Sequence, residues 1–182
     1  MKNTPRTEIS GLSPRQALTL RSPTVEDAAA IWRLVRDSGA LDLNSPYSYL
    51  ILCKHFAETC VVAEEAGALV GFVTAYRPPI TPNVIFVWQI GVAQSVRGRG
   101  VGLMLLDALV RKEAALGASF LEATVTPSNA PSQALFRAVA RRFRAQCVET
   151  PYFPAPLFPD NTHEAEELFR IGPFGQDLQP QS

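Results

Sequence analysis

Residues 90–102 have the sequence Ile-Gly-Val-Ala-Gln-Ser-Val-Arg-Gly-Arg-Gly-Val-Gly, between an apolar run, Val84–Val92, and an apolar-periodic segment, Val101–Leu116. This pattern predicts a strand, a tight turn and a helix. Glycine leaves backbone N–H groups unshielded, so that consecutive amides can face one anion. The N-terminus of the helix adds unsatisfied donors and a positive dipole end. Because Arg97 and Arg99 add positive charge, the segment predicts a pyrophosphate-binding loop.

Three types of glycine-rich loop bind phosphates, and two of them do not fit this chain. The nucleoside-triphosphatase loop requires G-x-x-x-x-G-K-[ST], and no Gly-Lys-Ser or Gly-Lys-Thr occurs here. The dinucleotide fingerprint, G-x-G-x-x-G, has a spacing that Gly98, Gly100 and Gly102 do not match. It also occurs at the first strand–helix unit of its fold, whereas these glycines lie about halfway along the chain. Arg97, Gly100 and Gly102 do match Arg-x-x-Gly-x-Gly, which resembles the acyl-CoA loop of the GNAT N-acetyltransferases. An ordinary strand–helix turn remains the alternative.

The composition indicates one globular domain without a global charge bias. The chain has 182 residues, 47% of them apolar, and its 17 basic and 17 acidic residues cancel. Such a chain can bury a sizeable core and has no overall field that would attract nucleic acid or an anionic membrane. Cys53, Cys60 and Cys147 form no C-x-x-C pair and are odd in number, which argues against a disulfide framework. With no apolar signal core or membrane-length run, we predict a cytoplasmic protein without a metal, nucleic-acid or membrane partner.

The residues on either side of the loop predict alternating strands and helices in one domain, residues 18–173. We expect a flexible leader at 1–17 and a flexible tail at 174–182. Pro151–Pro159 contains four prolines and predicts a loop packed over the site. The predicted strands are Leu18–Arg21, Cys60–Glu64, Ala68–Tyr76, Val84–Val92, Ser119–Thr126, Phe143–Glu149 and Leu168–Ile171. The predicted helices are Thr24–Gly39, Tyr47–Ala57, Val101–Leu116 and Asn129–Arg142, with a single acidic helical turn at Thr162–Leu168.

This order of elements resembles the GNAT fold from about Leu18 to Pro173. The resemblance implies an α/β (α+β mixed) architecture, in which helices flank a central, mixed, mostly antiparallel sheet of about seven strands. It implies that strands 4 and 5 splay apart and that the pantetheine of acetyl-CoA lies between them. At Phe136 many members carry a tyrosine that protonates the leaving thiolate. The cofactor-binding residues that the resemblance implies are Ile90, Val92, Arg97, Gly98, Arg99, Gly100, Val101, Gly102, Asn129 and Phe136.

Further motifs resemble one branch of that family, the L-2,4-diaminobutyrate acetyltransferases. The resemblance implies acetylation of the 4-amino group of L-2,4-diaminobutyrate in ectoine biosynthesis, a route of osmoprotection, by a homodimer that uses acetyl-CoA and no metal. The segments that carry it are Leu20–Pro23, Leu41–Tyr47, Phe72–Pro79, Phe86–Val92 and His163–Leu168.

The chemistry of such a substrate indicates which residues would bind it. A diamino acid carries two ammonium groups, and a small dication is best held by carboxylates, which favours Asp42 and Glu166 as substrate-binding residues. Tyr47 and Trp88 would wall its short aliphatic chain. Core packing remains the alternative for Trp88, and a loop or helix-capping role remains the alternative for Asp42.

The reaction requires a proton acceptor and a proton donor. An alkylammonium with a pKa near 10 must lose a proton before it can attack the thioester. We predict Glu166 as the base or amine-positioning group and His163 as its support, on one face of the predicted helical turn. A capping or surface role remains the alternative for His163. The thiolate would be protonated by Tyr152 or by the proton taken from the substrate. Transfer would be direct, in a ternary complex, because no cysteine is paired with a base.

Two other functions are compatible with the same residues. The chain could be an acetyltransferase for another small amine or for a protein terminus. It could also be a non-catalytic acyl-CoA-binding module, which would need Arg97, Gly100 and Gly102 but not Asp42 or Glu166.

Overall fold

The computed structural model describes residues 17–39, 41–159 and 163–175, and this part of the chain contains seven strands and four α-helices. The strands are β1 (Thr19–Arg21), β2 (Val61–Glu65), β3 (Ala68–Tyr76), β4 (Val84–Val92), β5 (Phe120–Val125), β6 (Gln146–Phe153) and β7 (Glu166–Gly172). The helices are α1 (Ala28–Ser38), α2 (Pro46–His55), α3 (Val101–Ala115) and α4 (Ala130–Phe143). None of these four helices combines the length and the apolar character needed to cross a bilayer.

The strands form one sheet in the order β1-β2-β3-β4-β5-β7-β6. All neighbours are antiparallel except β4 and β5, which run parallel. This parallel pair joins only Val84–Val87 to Phe120–Ala123, so the second halves of the two strands are not paired with each other. The predicted sheet, mostly antiparallel and splayed between its fourth and fifth strands, is confirmed.

Two hydrophobic cores pack against opposite faces of the sheet. The larger core lies under α3 and α4, where Leu105, Leu109 and Phe169 are fully buried. The smaller one lies under α1 and α2 and includes Ile31 and Phe72. Successive residues of a strand point to opposite faces, so one strand can contribute to both cores. Since α1 packs on β3 and β4 and α2 packs on α1, the adjoining surface of β5 and β7 is left to line a cavity.

A β-bulge in β4 changes the direction in which its side chains point. Gln89 lies opposite Thr74 of β3, and Val87 lies opposite the next residue of β3, so Trp88 is the extra residue. Val87 packs into the core under α3, whereas Gln89 contacts Tyr49 of α2 on the other face. The bulge therefore directs the Gln89 amide toward the smaller core and places the Trp88 indole beside that core.

The C-terminal region corrects two of the predicted elements. The helical turn predicted at Thr162–Leu168 is wrong, because His163–Ala165 are irregular and Glu166 begins β7. The loop predicted at Pro151–Pro159 starts too early, because β6 continues to Phe153. β7 is hydrogen-bonded to β5 on one side and to β6 on the other. Pairing with these distant strands determines its conformation, rather than the local acidic pattern that predicted a helical turn. An edge strand such as β6 can also accommodate proline.

The predicted tail begins at a residue that is packed in the structure. Phe174 is buried and packs edge-on against Phe143, with ring centroids 5.6 Å apart. The rest of the predicted tail, apart from Gly175, and residues 1–16 of the predicted leader lie outside the described residues.

Candidate active site

A cavity of about 870 Å³ lies over β4, β5 and β7, beside the loop between α1 and α2. Its volume is within the range of small-molecule sites. Strand alternation explains its floor, because Glu122 and Thr124 of β5 face the cavity while Leu121 and Ala123 are buried in the larger core. The lining includes Asp42, Asn44, Phe86, Trp88, Gln89, Glu122, Thr124, Thr126, Asn129, Tyr152, Phe158, His163, Glu164, Glu166 and Leu168.

His163 lies between two carboxylates of this lining. Its Nε2 atom is 3.6 Å from Oδ2 of Asp42 and 3.7 Å from Oε1 of Glu166. Its Nδ1 atom lies 2.7 Å from the carbonyl oxygen of Glu164; since a carbonyl only accepts, Nδ1 is the donor. The hydrogen bond to Glu164, followed by the charges of Asp42 and Glu166, raises the pKa of His163 above its ordinary value, against the opposing effect of burial.

Two further contacts fix the segment that carries His163. The imidazole stacks on the ring of Phe158, with centroids 3.8 Å apart. The carboxylate of Glu164 accepts hydrogen bonds from the hydroxyl and the backbone N–H of Ser128. The segment before β7 is thus attached to the loop before α4, although the two are far apart in sequence.

The structure brings most of the predicted substrate and catalytic residues together, with one exception. Asp42, Trp88, Tyr152, His163 and Glu166 all line the cavity. Tyr47 is not among the described lining residues. It lies in the first turn of α2, 67% exposed, because α2 directs Tyr49 into the core instead. The predicted role of Tyr47 as a wall of the site has no support from this geometry.

Gln89 and Glu122 are among the polar residues of the cavity that sequence reasoning missed. Glu122 forms an ion pair with Arg170 across β5 and β7, and Arg170 in turn lies over the ring of Phe120. Each of these two is the one long polar side chain in an otherwise apolar or short-chained strand. A single long polar residue in such a strand is visible in the sequence. It indicates a specific contact, because a polar side chain in a buried strand needs a hydrogen-bonding partner.

The glycine-rich loop has the backbone geometry of an anion site. Gly98 and Gly100 have φ angles of 74° and 78°, a region that favours glycine. Gly100 caps the N-terminus of the 15-residue helix α3, whose first N–H groups have no partner within the helix. Arg97 is exposed and its Nε donates to the carbonyl of Val92 at 3.4 Å. Arg99 instead forms a bidentate ion pair with Glu65, at 2.6 and 3.0 Å.

The other six residues predicted to bind the cofactor have packing or capping roles here. A Cβ atom at Gly102 would lie 3.3 Å from Leu135, so this glycine lets α3 approach α4. Val101 is buried. Asn129 accepts from the backbone N–H of Ser132 and caps α4, although it also lines the cavity. Phe136 is 2% exposed and packs against Phe169, so it contributes core volume rather than cofactor-facing surface. Ile90 and Val92 are half-buried on β4.

The cysteine thiols are poor nucleophiles. Burial raises the pKa of Cys53 to about 12 and that of Cys60 to about 11, and it also raises the pKa of Cys147. Within residues 17–39, 41–159 and 163–175, no group of three His, Cys, Asp or Glu side chains is arranged to hold a metal ion.

The known proteins that resemble this chain are acetyltransferases. The model of the acetyltransferase (GNAT) family matches residues 27–140. The L-2,4-diaminobutyric acid acetyltransferase of Halalkalibacterium halodurans is 54% identical over 157 residues, covering 86% of this chain and 82% of the relative. The corresponding protein of Shouchella clausii is 51% identical, with coverages of 86% and 88%.

A solved structure extends this similarity to three dimensions. It contains the diaminobutyrate acetyltransferase EctA from Paenibacillus lautus in complex with its substrate L-2,4-diaminobutyric acid and coenzyme A. The two chains are 43% identical, with a TM-score of 0.84, and the alignment covers 88% of this chain and 97% of the other.

Proposed function

This chain belongs to the GNAT acetyltransferase family, and on that basis we propose that it transfers the acetyl group of acetyl-CoA to the 4-amino group of L-2,4-diaminobutyrate. The observation that carries the choice of substrate is the acidic cavity, where Asp42 and Glu166 flank His163. A small dication would find carboxylates on two sides of this cavity. The relatives support the same substrate, because the diaminobutyric acid acetyltransferases compared above are up to 54% identical to this chain.

The glycine-rich loop fits the pyrophosphate of CoA. The positive φ angles of Gly98 and Gly100 and the N-terminus of α3 provide backbone donors and a positive dipole end. Arg97 is placed to add charge, whereas Arg99 would first have to leave Glu65. The unpaired halves of β4 and β5 offer a slot for the pantetheine arm. Ile90, Val92 and Asn129 would border that arm.

The nucleophile would be prepared by Glu166. At neutral pH an alkylammonium is protonated, so Glu166 would take one proton and free the lone pair of the 4-amino nitrogen. His163 is a poorer acceptor, because its raised pKa keeps it protonated over a wider pH range. We therefore give His163 the role of holding Asp42 and Glu166 in place. Trp88 would cover the aliphatic carbons of the substrate.

The transfer itself would be direct. The amine nitrogen attacks the thioester carbon, and the carbonyl oxygen accepts from a backbone N–H near the end of β4. The C–S bond then breaks as the nitrogen releases its second proton to water, which leaves the neutral amide. The thiolate needs a proton that Phe136 cannot give. Tyr152 lines the cavity and is 46% exposed, and it is the phenol that we propose for this step, with the proton held by Glu166 as the other source.

A substrate panel tests the proposal. Acetyl-CoA is incubated with diaminobutyrate, ornithine, lysine and peptides, thiol release is followed, and the product is identified by NMR. We expect the highest kcat/KM for diaminobutyrate and acetylation at N4. Equal rates with all the amines, or a preference for peptides, would reject this substrate. CoA binding without turnover of any amine would indicate a non-catalytic binding module.

We further propose the biological setting that this reaction suggests. The N4-acetyl product would be the precursor for ring closure to ectoine, an osmoprotectant, in the cytoplasm. We propose a homodimer, from the resemblance to diaminobutyrate acetyltransferases, and sedimentation analysis of the purified chain would test it.

A further inference from the structure

A chain of buried hydrogen bonds connects α2, β4 and the loop that carries Asp42. Tyr49 of α2 is fully buried, and its hydroxyl donates to Oε1 of Gln89 at 2.9 Å. Nε2 of Gln89 donates to the backbone carbonyl of Asp42 at 2.8 Å. A carbonyl only accepts, so the Asp42 contact fixes which end of the amide faces the loop. The other end of the amide, Oε1, is then the acceptor for the Tyr49 hydroxyl.

The bulge in β4 is what makes this connection possible. If β4 alternated regularly through Trp88, Gln89 would point toward the face on which Val87 packs, under α3. The backbone of Gln89 is held as well, because Thr74 Oγ1 accepts from its N–H at 3.3 Å and donates to its carbonyl at 3.2 Å. Gln89 is therefore a rigid support with both ends of its side chain engaged.

The side chain of Asp42, by contrast, has little support of its own. It is 85% exposed, and its ionic contact is the one with His163 at 3.6 Å. The position of its carboxylate thus depends on where the backbone of the loop is held. Asn44 Nδ2 also reaches the Asp42 carbonyl, at 3.3 Å, but it belongs to the same loop. Among the described residues, the hydrogen bond from Gln89 Nε2 is the contact that ties the Asp42 carbonyl to the sheet.

We infer that Gln89 and Tyr49 are positioning residues for amine recognition, and that they hold the Asp42 carboxylate at the substrate site through its backbone carbonyl. This inference rests on the proposed function, in which Asp42 binds an ammonium group. Neither side chain takes part in the chemistry. A loop displaced by about 1 Å can cost up to about a hundredfold in rate. Because Asp42 would bind an ammonium group of the substrate, we expect the effect mainly in the KM of the amine.

The test is a set of single variants of the full chain and one double-mutant cycle. We expect Gln89→Leu to raise the KM for diaminobutyrate about tenfold, within the loss that such a displacement allows, and to leave the KM for acetyl-CoA unchanged. Tyr49→Phe should act in the same direction but less strongly, because the amide keeps its bond to Asp42. In an Asp42→Asn background, Gln89→Leu should add little, since coupled sites are not additive.

Thr59→Val is the matched control. It removes a side-chain hydrogen bond of 2.6 Å to the Ala75 carbonyl without contacting the Asp42 loop, and it should leave both KM values as they are. If Gln89→Leu does not fold, Tyr49→Phe and its cycle with Asp42→Asn carry the test alone.

Three results would overturn the inference: an unchanged KM for diaminobutyrate in the Gln89 and Tyr49 variants, an equal rise in both KM values, or full additivity with Asp42→Asn. These differ from a failure of the proposed function, in which the wild-type chain itself would not turn over diaminobutyrate.

Discussion

Glu166 and His163 occupy the same cavity, but their surroundings suit them to different roles. Glu166 begins β7, and its side chain is 16% exposed beside the imidazole. His163 is held through both ring nitrogens, by Glu164 on one side and by the two carboxylates on the other. Contacts on both sides of the ring fix its position. Under the proposed function, Glu166 is the residue that would accept a proton from the substrate.

Glu166→Gln should abolish most of the activity while preserving the shape of the site. The amide cannot accept a proton from the ammonium group, so we expect kcat to fall by about 10²–10⁴ with the Kd for CoA unchanged. Stopped assays of thiol release and calorimetric titration with CoA measure the two quantities. Glu167→Gln, one residue along on the opposite face of β7, is the control and should retain activity. Wild-type turnover in Glu166→Gln would exclude Glu166 as the base.

The stability that His163 contributes should depend on pH in a defined direction. Its pKa is raised in the folded chain above the ordinary value of about 6.5. The contribution is therefore complete below about pH 6.5 and is lost as the pH rises through the folded pKa. We expect the loss in unfolding free energy of His163→Gln to be larger at pH 5.5 than at pH 9, by less than about 1 kcal/mol for so exposed an ion pair. Urea unfolding at the two pH values measures it.

The stacking of His163 on Phe158 acts in the same direction, because a protonated imidazole is attracted to the face of an aromatic ring. A loss that is the same at pH 5.5 and pH 9 would mean that the imidazolium charge has no stabilising role.

At the scale of the element, β4 and the turn that follows it divide two tasks between them. The bulge at Trp88 arranges the substrate side, and the positive φ angles of Gly98 and Gly100 arrange the anion side. The two tasks are separable because the loop begins only after β4 has ended at Val92. A change in the loop should therefore weaken CoA binding without altering the choice of amine.

Gly100→Glu should weaken CoA binding strongly. A Cβ atom there meets open space, but the φ of 78° is strained for other residues by about 1–2 kcal/mol, and the carboxylate would repel the pyrophosphate. We expect the Kd for CoA, measured by calorimetry, to rise more than about tenfold.

Gly117→Glu is the matched control for this variant. Gly117 also has a positive φ, 91°, and open space around it, but it lies beyond the opposite end of α3. It introduces the same strain and charge away from the loop, and CoA binding should be retained. Equal weakening by both variants would show that the effect does not depend on a carboxylate at the loop itself.

At the scale of the whole molecule, one ion pair joins α3 to the connection between β3 and β4. Arg77 contacts Oε2 of Glu113 at 2.7 Å and also donates to the carbonyls of Glu113 and Pro82. The side chain of Glu113 is 1% exposed, and its Oε1 atom has no hydrogen-bond partner among the described residues. A carboxylate buried in this way depends on its single cation.

Arg77→Met should destabilise the fold by about 3–5 kcal/mol, because it leaves the Glu113 charge buried without a partner. Arg77→Met combined with Glu113→Leu should be more stable than Arg77→Met alone, since no isolated charge then remains. Denaturant unfolding of the wild type and of both variants measures the difference. If the double variant were no more stable than the single one, burial of the Glu113 charge would not be the cause.

The sequence by itself determined the elements and the anion loop. Val84–Val92 is predicted with the bounds that the structure gives, and the spacing of Arg97, Gly100 and Gly102 indicated the family. These features were accessible because they are local: an apolar period, a glycine turn and a helix start involve residues that are close together in the chain. Pairing partners are not local, which is why a helical turn was predicted where β7 begins.

Only the tertiary structure decided how the site is assembled. His163 meets both Asp42 and Glu166 because the order β4-β5-β7 brings the start of β7 near β4, whose Gln89 holds the loop of Asp42. No local pattern encodes a contact between such distant residues. The continuous apolar character of β4 hides its bulge, so the directions of Trp88 and Gln89 could not be read from alternation. Packing of α2 turned Tyr49 inward and left Tyr47 in solvent. Local chemistry thus sets the elements, and the packing of distant side chains sets the site.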